Sequence, residues 1–233
     1  MTAANELTQL LGLTSAPIGV AFVSARPDGV AEFAGAVPSS CSFWRQAERG
    51  VFYAPAEAHY NCAVGAMTMG FALPPAVQQS MSDVVQLMCS CGYMDADEPA
   101  RMPSIPGTPQ GVVYGPLADL PVPPDLVVMW LTPRQAMLFD EAAGDVRWGD
   151  QPGMRVLGRP ACSSLPIAVQ SSRPTLSMGC LGMRTFTEVS DDRMLAVVPA
   201  AAIDGFVSRL QATAAANETM AGAYGAMKAQ FPG

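Results

Sequence analysis

Histidine is nearly missing from this chain: His59 is the only one among 233 residues. A Ser-His-Asp relay or a histidine-based acid–base pair must be built on that one position or not at all. Charge is scarce as well. Asp, Glu, Lys and Arg make up 14% of the chain, well below the usual quarter. So thin a charged surface predicts that more of it than usual is covered, as in a homo-oligomer. Positive charge is the scarcer sign. A net charge of -7 and a pI near 4.6 exclude the basic face that nucleic acid rewards. Apolar runs such as "DLVVMWL" stop far short of a membrane span. The opening "MTAANELTQLLGL" lacks the basic n-region of a secretory signal. Together these predict a soluble, cytoplasmic protein that partners neither nucleic acid nor membrane.

Several catalytic signatures are also absent. The chain has no Walker A loop, no G-x-S-x-G elbow and no H-E-x-x-H. No G-x-G-x-x-G follows a predicted strand. No C-x-x-C pair occurs, so neither a zinc ribbon nor a ferredoxin-type run is present. What the chain does have is six cysteines, at 41, 62, 89, 91, 162 and 180. In a cytoplasmic setting these are reduced thiols, metal ligands or catalytic groups rather than disulfides.

Periodicity and punctuation give an α+β reading. Helices are expected over 5–12, 39–50 (capped by Ser39 or Ser40), 61–73 (capped by Asn61), 133–144, 160–170 and 201–231, with a weak point at Gly222 and Gly225. Strands are expected over 17–23, 51–54, 111–117, 124–131 and 194–199, with an extended approach to Cys180 over 174–179. Residues 94–111 carry four prolines and read as a long connection or lid, and 141–153 as a polar loop.

The order repeats. "PIGVAFV" matches "PDLVVMWL", and "VVYGPLADL" matches "AVVPAAAIDGF". Between these markers each half holds two cysteines: Cys41 and Cys62 in the first, Cys162 and Cys180 in the second. Each first cysteine precedes Ser, and each second one is followed closely by Gly. Such self-similarity predicts one domain over 1–233, internally duplicated into halves 1–120 and 121–233, each with a mixed sheet and packed helices about a pseudo-twofold axis.

A twofold brings equivalent loops to one point, and four converging thiolates suit a tetrahedral metal or an iron–sulfur cluster. Cys41, Cys62, Cys162 and Cys180 are therefore the expected metal ligands. Gly65, Gly179 and Gly182 flank them and suit the close backbone approach and N–H···S contacts of a bulky inorganic core. That favours a [4Fe–4S] cluster over zinc. Arg45 and Arg184 are expected to neutralise such a centre or hold an anionic ligand. His59, oriented by Glu57, and Arg184 are the candidate catalytic partners of an open site. Cys89 and Cys91 have no counterpart in the second half; on a strand their thiols would point the same way.

The segments "LTQLLGLTSAPIGVAFV", "WRQAERG" after the first cysteine, "AEAHYNCAVG", "PDLVVMWLTPRQAMLF", "RPACSS" and "SMGCLGMR" follow one another over nearly the whole chain. In order and spacing they resemble the domain of unknown function 169 family of bacterial and archaeal proteins. The resemblance implies the same four cysteines together with Gly65, Gly179, Gly182 and Arg184. It implies no reaction, and Cys89, Cys91 and the 94–111 segment lie outside its pattern.

The leading expectation is an iron–sulfur protein for electron transfer or small-molecule redox chemistry, working with a redox partner protein or a small-molecule ligand. Two alternatives stay open. Fifteen methionines suit a pocket for haem, another tetrapyrrole or an apolar ligand, with His59 or a cysteine as axial ligand. A low-pKa thiol at Cys180 or the Cys89–Cys91 pair suits a thiol-based redox enzyme or sensor.

Overall fold

A computed structural model describes residues 2–148 and 160–231. The chain order is α1 (Ala3–Leu11), β1 (Ile18–Val23), α2 (Ser42–Ala47), β2 (Phe52–Pro55), α3 (Ala63–Thr68), α4 (Pro75–Ser90), β3 (Gly111–Pro116) and β4 (Leu126–Leu131). There follow α5 (Pro133–Ala143), β5 (Arg147–Trp148), α6 (Ser164–Ser171), β6 (Thr175–Ser177), α7 (Leu181–Thr187), β7 (Met194–Pro199) and α8 (Ile203–Lys228). This is the expected α+β class.

All seven strands form one sheet in the order β2-β3-β1-β4-β7-β6-β5. Every neighbouring pair is antiparallel except the β5–β6 edge, which is parallel. At the centre β1 meets β4, with Ile18 opposite Val128 and Val20 opposite Leu126. Outward from that seam, β3 and β2 lie on one side, and β7 and β6 on the other.

Both faces of the sheet are covered, so its central strands read as unbroken apolar runs rather than as alternating ones. Along β4, Leu126, Val128 and Trp130 enter one core while Val127, Met129 and Leu131 enter the other. The second core is closed by Leu7 and Leu11 of α1, Phe139 of α5, and Phe206 and Leu210 of α8. The first core lies beneath α2, α3 and α6 and includes Trp44, Met69 and Leu165. Cys41 and Cys162 sit inside it, with Cys180 packed against it. Every predicted strand forms, with β6 realising the extended approach to Cys180.

The helices differ from expectation in informative ways. α2 starts at Ser42 with Cys41 at its N-cap, because Ser39 and Ser40 use their hydroxyls elsewhere. Likewise α3 is capped by Cys62 rather than Asn61, whose side chain donates to the Val37 carbonyl instead. α8 runs unbroken through Gly222 and Gly225. α4 was not legible in the sequence: none of its residues is buried, so no core-facing period marks it. Its last turn holds Cys89, and Cys91 is its C-cap. This corrects the strand reading, since residues two apart on a helix point to different sides.

The proline-rich 94–111 segment forms a strap. Ile105 is buried and donates its N–H to the Thr68 carbonyl at 2.8 Å, while Gln170 of α6 donates to the Ser104 carbonyl at 2.9 Å. The strap therefore ties α3 to α6 on the cysteine face. Of the expected polar loop over 141–153, the first three residues end α5, and 149–153 lie outside the described residues.

Candidate functional site

Cys62 and Cys180 are built alike. Each is the N-cap of a short helix, and each Sγ accepts a backbone N–H three residues on: Gly65 at 3.4 Å and Met183 at 3.2 Å. Each helix also follows a strand of the sheet, β2 or β6. The other two cysteines precede a helix: Cys41 caps α2, and Cys162 lies in the Ala161–Ser163 turn before α6. Cys41 Sγ is 3.0 Å from Ser39 Oγ. Cys62 receives a second backbone N–H from Ser40, and Cys162 contacts the Thr68 hydroxyl. The Cys62 and Cys180 sulfurs are thus met by backbone N–H groups, the contacts that stabilise a thiolate or a bridging sulfide. The Ser39 and Thr68 hydroxyls instead give their protons to Ser42 Oγ and the Gly65 carbonyl, and accept from the Cys41 and Cys162 thiols.

Burial dominates the acidity of Cys41, Cys62 and Cys162. It pushes the Cys41 thiol up to about 12; the Ser39 bond pulls it back, and the charges of Cys180 and Cys62 raise it again. Cys62 is raised by burial, against the pull of the Gly65 and Ser40 N–H groups, with a further push from Cys180. Cys162 is raised well above the ordinary thiol value by burial, then by Cys62, Cys180 and Cys41, with Thr68 opposing. Two conclusions follow. The four sulfurs lie within electrostatic reach of one another, and Cys41, Cys62 and Cys162 are protonated at neutral pH unless something replaces their protons. A nucleophilic or sensor thiol needs the opposite environment. Cys89 and Cys91 stand apart on α4, and Cys91 Sγ is 3.4 Å from the Met88 carbonyl.

Among the described residues, no group of three or more His, Cys, Asp or Glu side chains is gathered closely enough to hold a single metal ion. A single zinc ion with Zn–S bonds near 2.3 Å would draw four sulfurs to within about 4 Å of each other.

His59 lies in the Ala56–His59 turn, wholly buried against Phe43 and Phe71, with ring centroids 4.6 and 4.8 Å away. Its Nδ1 pairs with Ser40 Oγ at 3.1 Å. Glu57, the expected orienting group, is exposed, so Ser40 takes that role. Burial lowers the His59 pKa to about 3, which keeps the ring neutral. Its Nε2 has no hydrogen-bond partner among the described residues. The same holds for Tyr114 Oη, Trp44 Nε1, Trp130 Nε1, Ser163 Oγ and Ser164 Oγ. The four aromatic groups all belong to the core beneath the cysteine-bearing helices, and the two serines directly follow Cys162. Buried polar atoms without partners are few in native proteins, so this concentration on one face is notable.

Gly65 is required by packing: a Cβ there would lie 2.5 Å from Ser40 Oγ and 3.1 Å from Cys62 Sγ. Gly179 is required by conformation, at φ +82°. A Cβ on Gly182 would make only ordinary contacts, the Cys180 sulfur being 3.9 Å away. Arg184 faces carbonyls rather than the sulfurs. It donates to Met178 at 2.6 Å, Arg193 at 3.1 Å and Ser190 at 3.4 Å, tying the Cys180 turn to the 190–193 loop. Arg45 Nη1 donates to both carboxylate oxygens of Glu48, at 2.7 and 2.8 Å. The structure thus brings the four cysteines, His59 and Gly65 to one face and gives both arginines partners of their own. Tyr114 was missed by sequence reasoning, because a tyrosine inside "VVYG" reads as core.

Two surface clefts, of about 230 and 380 Å³, lie elsewhere, and neither is lined by His59 or a cysteine. No helix among the described residues is long and apolar enough to cross a membrane.

No curated protein and no solved structure matches the chain. One family profile does, described as an uncharacterised ArCR and matching residues 6–209, from within α1 to the first two turns of α8. With most of its length inside that match, and the four cysteines with it, the chain belongs to the domain of unknown function 169 family.

Proposed function

We propose that Cys41, Cys62, Cys162 and Cys180 hold an iron–sulfur cluster of the [4Fe–4S] type, for electron transfer or small-molecule redox chemistry. The observation that carries the reading is the set of four buried or half-buried thiols on one face. They lie within electrostatic reach of one another, each has a hydrogen-bond partner, and Cys62 and Cys180 accept backbone N–H groups. Neutral thiols pack as small apolar groups, whereas four such sulfurs within reach of one another suit, as thiolates, a polynuclear core. Such a core spaces its thiolate ligands more widely than a single ion does, which favours a cluster over zinc. The partnerless Tyr114 hydroxyl, on which the charges of Cys41 and Cys162 act, supports it further as a buried donor available to sulfide.

In the same proposal the halves 1–120 and 121–233 are copies of one unit. The mirrored strand order about the β1–β4 seam supports this, as does the matched N-cap geometry of Cys62 and Cys180. Full cysteine ligation makes the centre an electron carrier. A bound cluster supplies one-electron chemistry, while this chain's residues supply the thiolates, the N–H···S bonds and the exclusion of water. A redox partner protein or small-molecule ligand completes the function. Met220, Tyr224, Met227 and Phe231 recur every four or three residues on the exposed end of α8 and just beyond it, and they support a homo-oligomer.

The test is anaerobic reconstitution with ferrous iron and sulfide, read by iron and sulfide content and visible absorption. Retention of iron by the parent chain and its loss in Cys62→Ser and Cys180→Ser is the expected result. A colourless, iron-free product from the parent chain overturns the reading.

A further inference from the structure

The cleft of about 380 Å³ is lined by Thr14, Ser15, Arg45, Glu48, Trp130, Glu188, Val189, Ser190 and Arg193. It opens beside the C-terminal ends of α2 and α7; the start of α2 is tied to the end of α7 by Ser42 Oγ donating to the Phe186 carbonyl at 3.2 Å. Its size falls within the range of small-ligand sites. Its lining sets two carboxylates and two guanidinium groups around a rim of hydroxyls, over Val189 and the indole of Trp130.

Glu48 is matched by Arg45, whose Nη1 meets both its oxygens, which leaves Arg193 and Glu188 as the charges without a close partner charge among the described residues. Among the described residues Arg193 has only the distant Asp192 carboxylate as an ion-pair partner, at 3.7 Å. Glu188 makes no ion pair with any described residue. Trp130, on the sheet, is 4% exposed, and its indole N–H has no partner among the described residues.

The backbone around these groups is fixed in advance. Arg184 clamps the carbonyls of Ser190 and Arg193. Glu188 ends α7 at φ 53°, ψ 27°, in the left-handed region where glycine is the unstrained choice. A long acidic side chain held in that conformation at the rim of a cleft is strain of the kind found at ligand sites.

The geometry points to this cleft as the binding site of a small free zwitterion, an α-amino acid, its carboxylate met by Arg193 and its ammonium by Glu188. The indole and Val189 form an apolar bed for the ligand's carbon atoms, and the hydroxyls of Thr14 and Ser15 are available to both ends, that of Ser190 being donated to the Asp192 carboxylate. A simple anion leaves Glu188 unmatched, and a simple cation leaves Arg193 unmatched. Only a ligand with both charges uses the whole lining. The cleft contains no cysteine, so this inference stands or falls independently of any cluster.

The test uses ¹⁵N-labelled protein and follows its three indole N–H resonances, that of Trp130 being assigned by its loss in Trp130→Phe. The probes are the standard free α-amino acids, with acetate and ethylammonium as single-charge controls. At least one amino acid is expected to move the Trp130 resonance with a Kd at or below about 1 mM. Each control should bind roughly tenfold more weakly or worse. Arg193→Gln and Glu188→Gly should both weaken binding by at least roughly tenfold, while Glu188→Gly raises Tm by relieving the left-handed residue. Ser172→Gly, at the same φ of 53°, should raise Tm and leave affinity unchanged. The inference is overturned if no amino acid moves the Trp130 resonance at about 10 mM. Acetate binding as tightly as the best amino acid, or Glu188→Gly keeping full affinity, overturns it equally.

Discussion

His59 gives the sharpest test of the buried face, because the chain has no other histidine. Burial lowers its pKa to about 3 from the ordinary 6.5. The unfolded chain therefore binds a proton on this ring from pH 6.5 downward, and the folded chain does not. Since the folded pKa is the lower one, the stability His59 contributes is fully present above pH 6.5 and is lost as pH falls towards 3. The loss is about 1.4 kcal/mol for each pH unit below 6.5, so roughly 2 kcal/mol has gone by about pH 5. That is a large share of a stability of about 5–15 kcal/mol. The window between pH 6.5 and 5 lies above the range where ordinary carboxylates titrate. Urea denaturation of the metal-free protein at half-unit steps, with the parent chain beside His59→Gln and His59→Phe, measures the effect. The parent should lose stability across the window, and both variants should be flat there. A parent curve with the same slope as the variants refutes the claim that His59 is buried and neutral.

Other consequences follow from the same face and from α8. Gly65→Ala forces a methyl against Ser40 Oγ and Cys62 Sγ, so it should cost about 1–3 kcal/mol in thermal unfolding and lower iron retention on reconstitution. Tyr114→Phe removes a buried hydroxyl without a partner, so the metal-free variant should be more stable by about 1 kcal/mol. In reconstituted protein the same change should make the centre's midpoint potential more negative, by removing a donor to sulfur. A metal-free Tyr114→Phe less stable than the parent contradicts the orphan assignment. Replacing exposed Met220, Tyr224 and Met227 by Ser should shift sedimentation towards the monomer and leave the unfolding midpoint of the body unchanged. An unchanged sedimentation coefficient removes the oligomer proposal.

Much of the fold was legible because burial leaves a pattern. β4 and β7 are buried on both faces, and each reads as a short apolar run bounded by proline or charge. α5 announces itself through Thr132, Pro133 and Gln135, which form a capping box at its start. α4 escaped for the opposite reason: with nothing buried it carries no period to find. The cysteines were legible as a set because a pair of them recurs at matching places in each half. The cap at Cys62 explains Gly65, whose N–H meets its sulfur, whereas at Cys180 that N–H comes from Met183 and packing does not require Gly182. Their surroundings were not. Ser40 serves His59 across 19 residues of sequence, and Tyr114 reaches the site from β3. Only the folded sheet brings such groups together. The same holds for Glu188 and Arg193, which look like ordinary surface charges until Trp130 appears beneath them.

The central claim is that four cysteines act as one centre, and a single set of reconstitutions tests it most directly. Parent chain, each of Cys41→Ser, Cys62→Ser, Cys162→Ser and Cys180→Ser, and the Cys89→Ser/Cys91→Ser pair are loaded anaerobically, and iron and sulfide are counted. The account predicts about four of each per chain in the parent and in the Cys89/Cys91 variant, with loss in every one of the other four. Iron retained in those four variants, or iron lost only when Cys89 and Cys91 are changed, contradicts it.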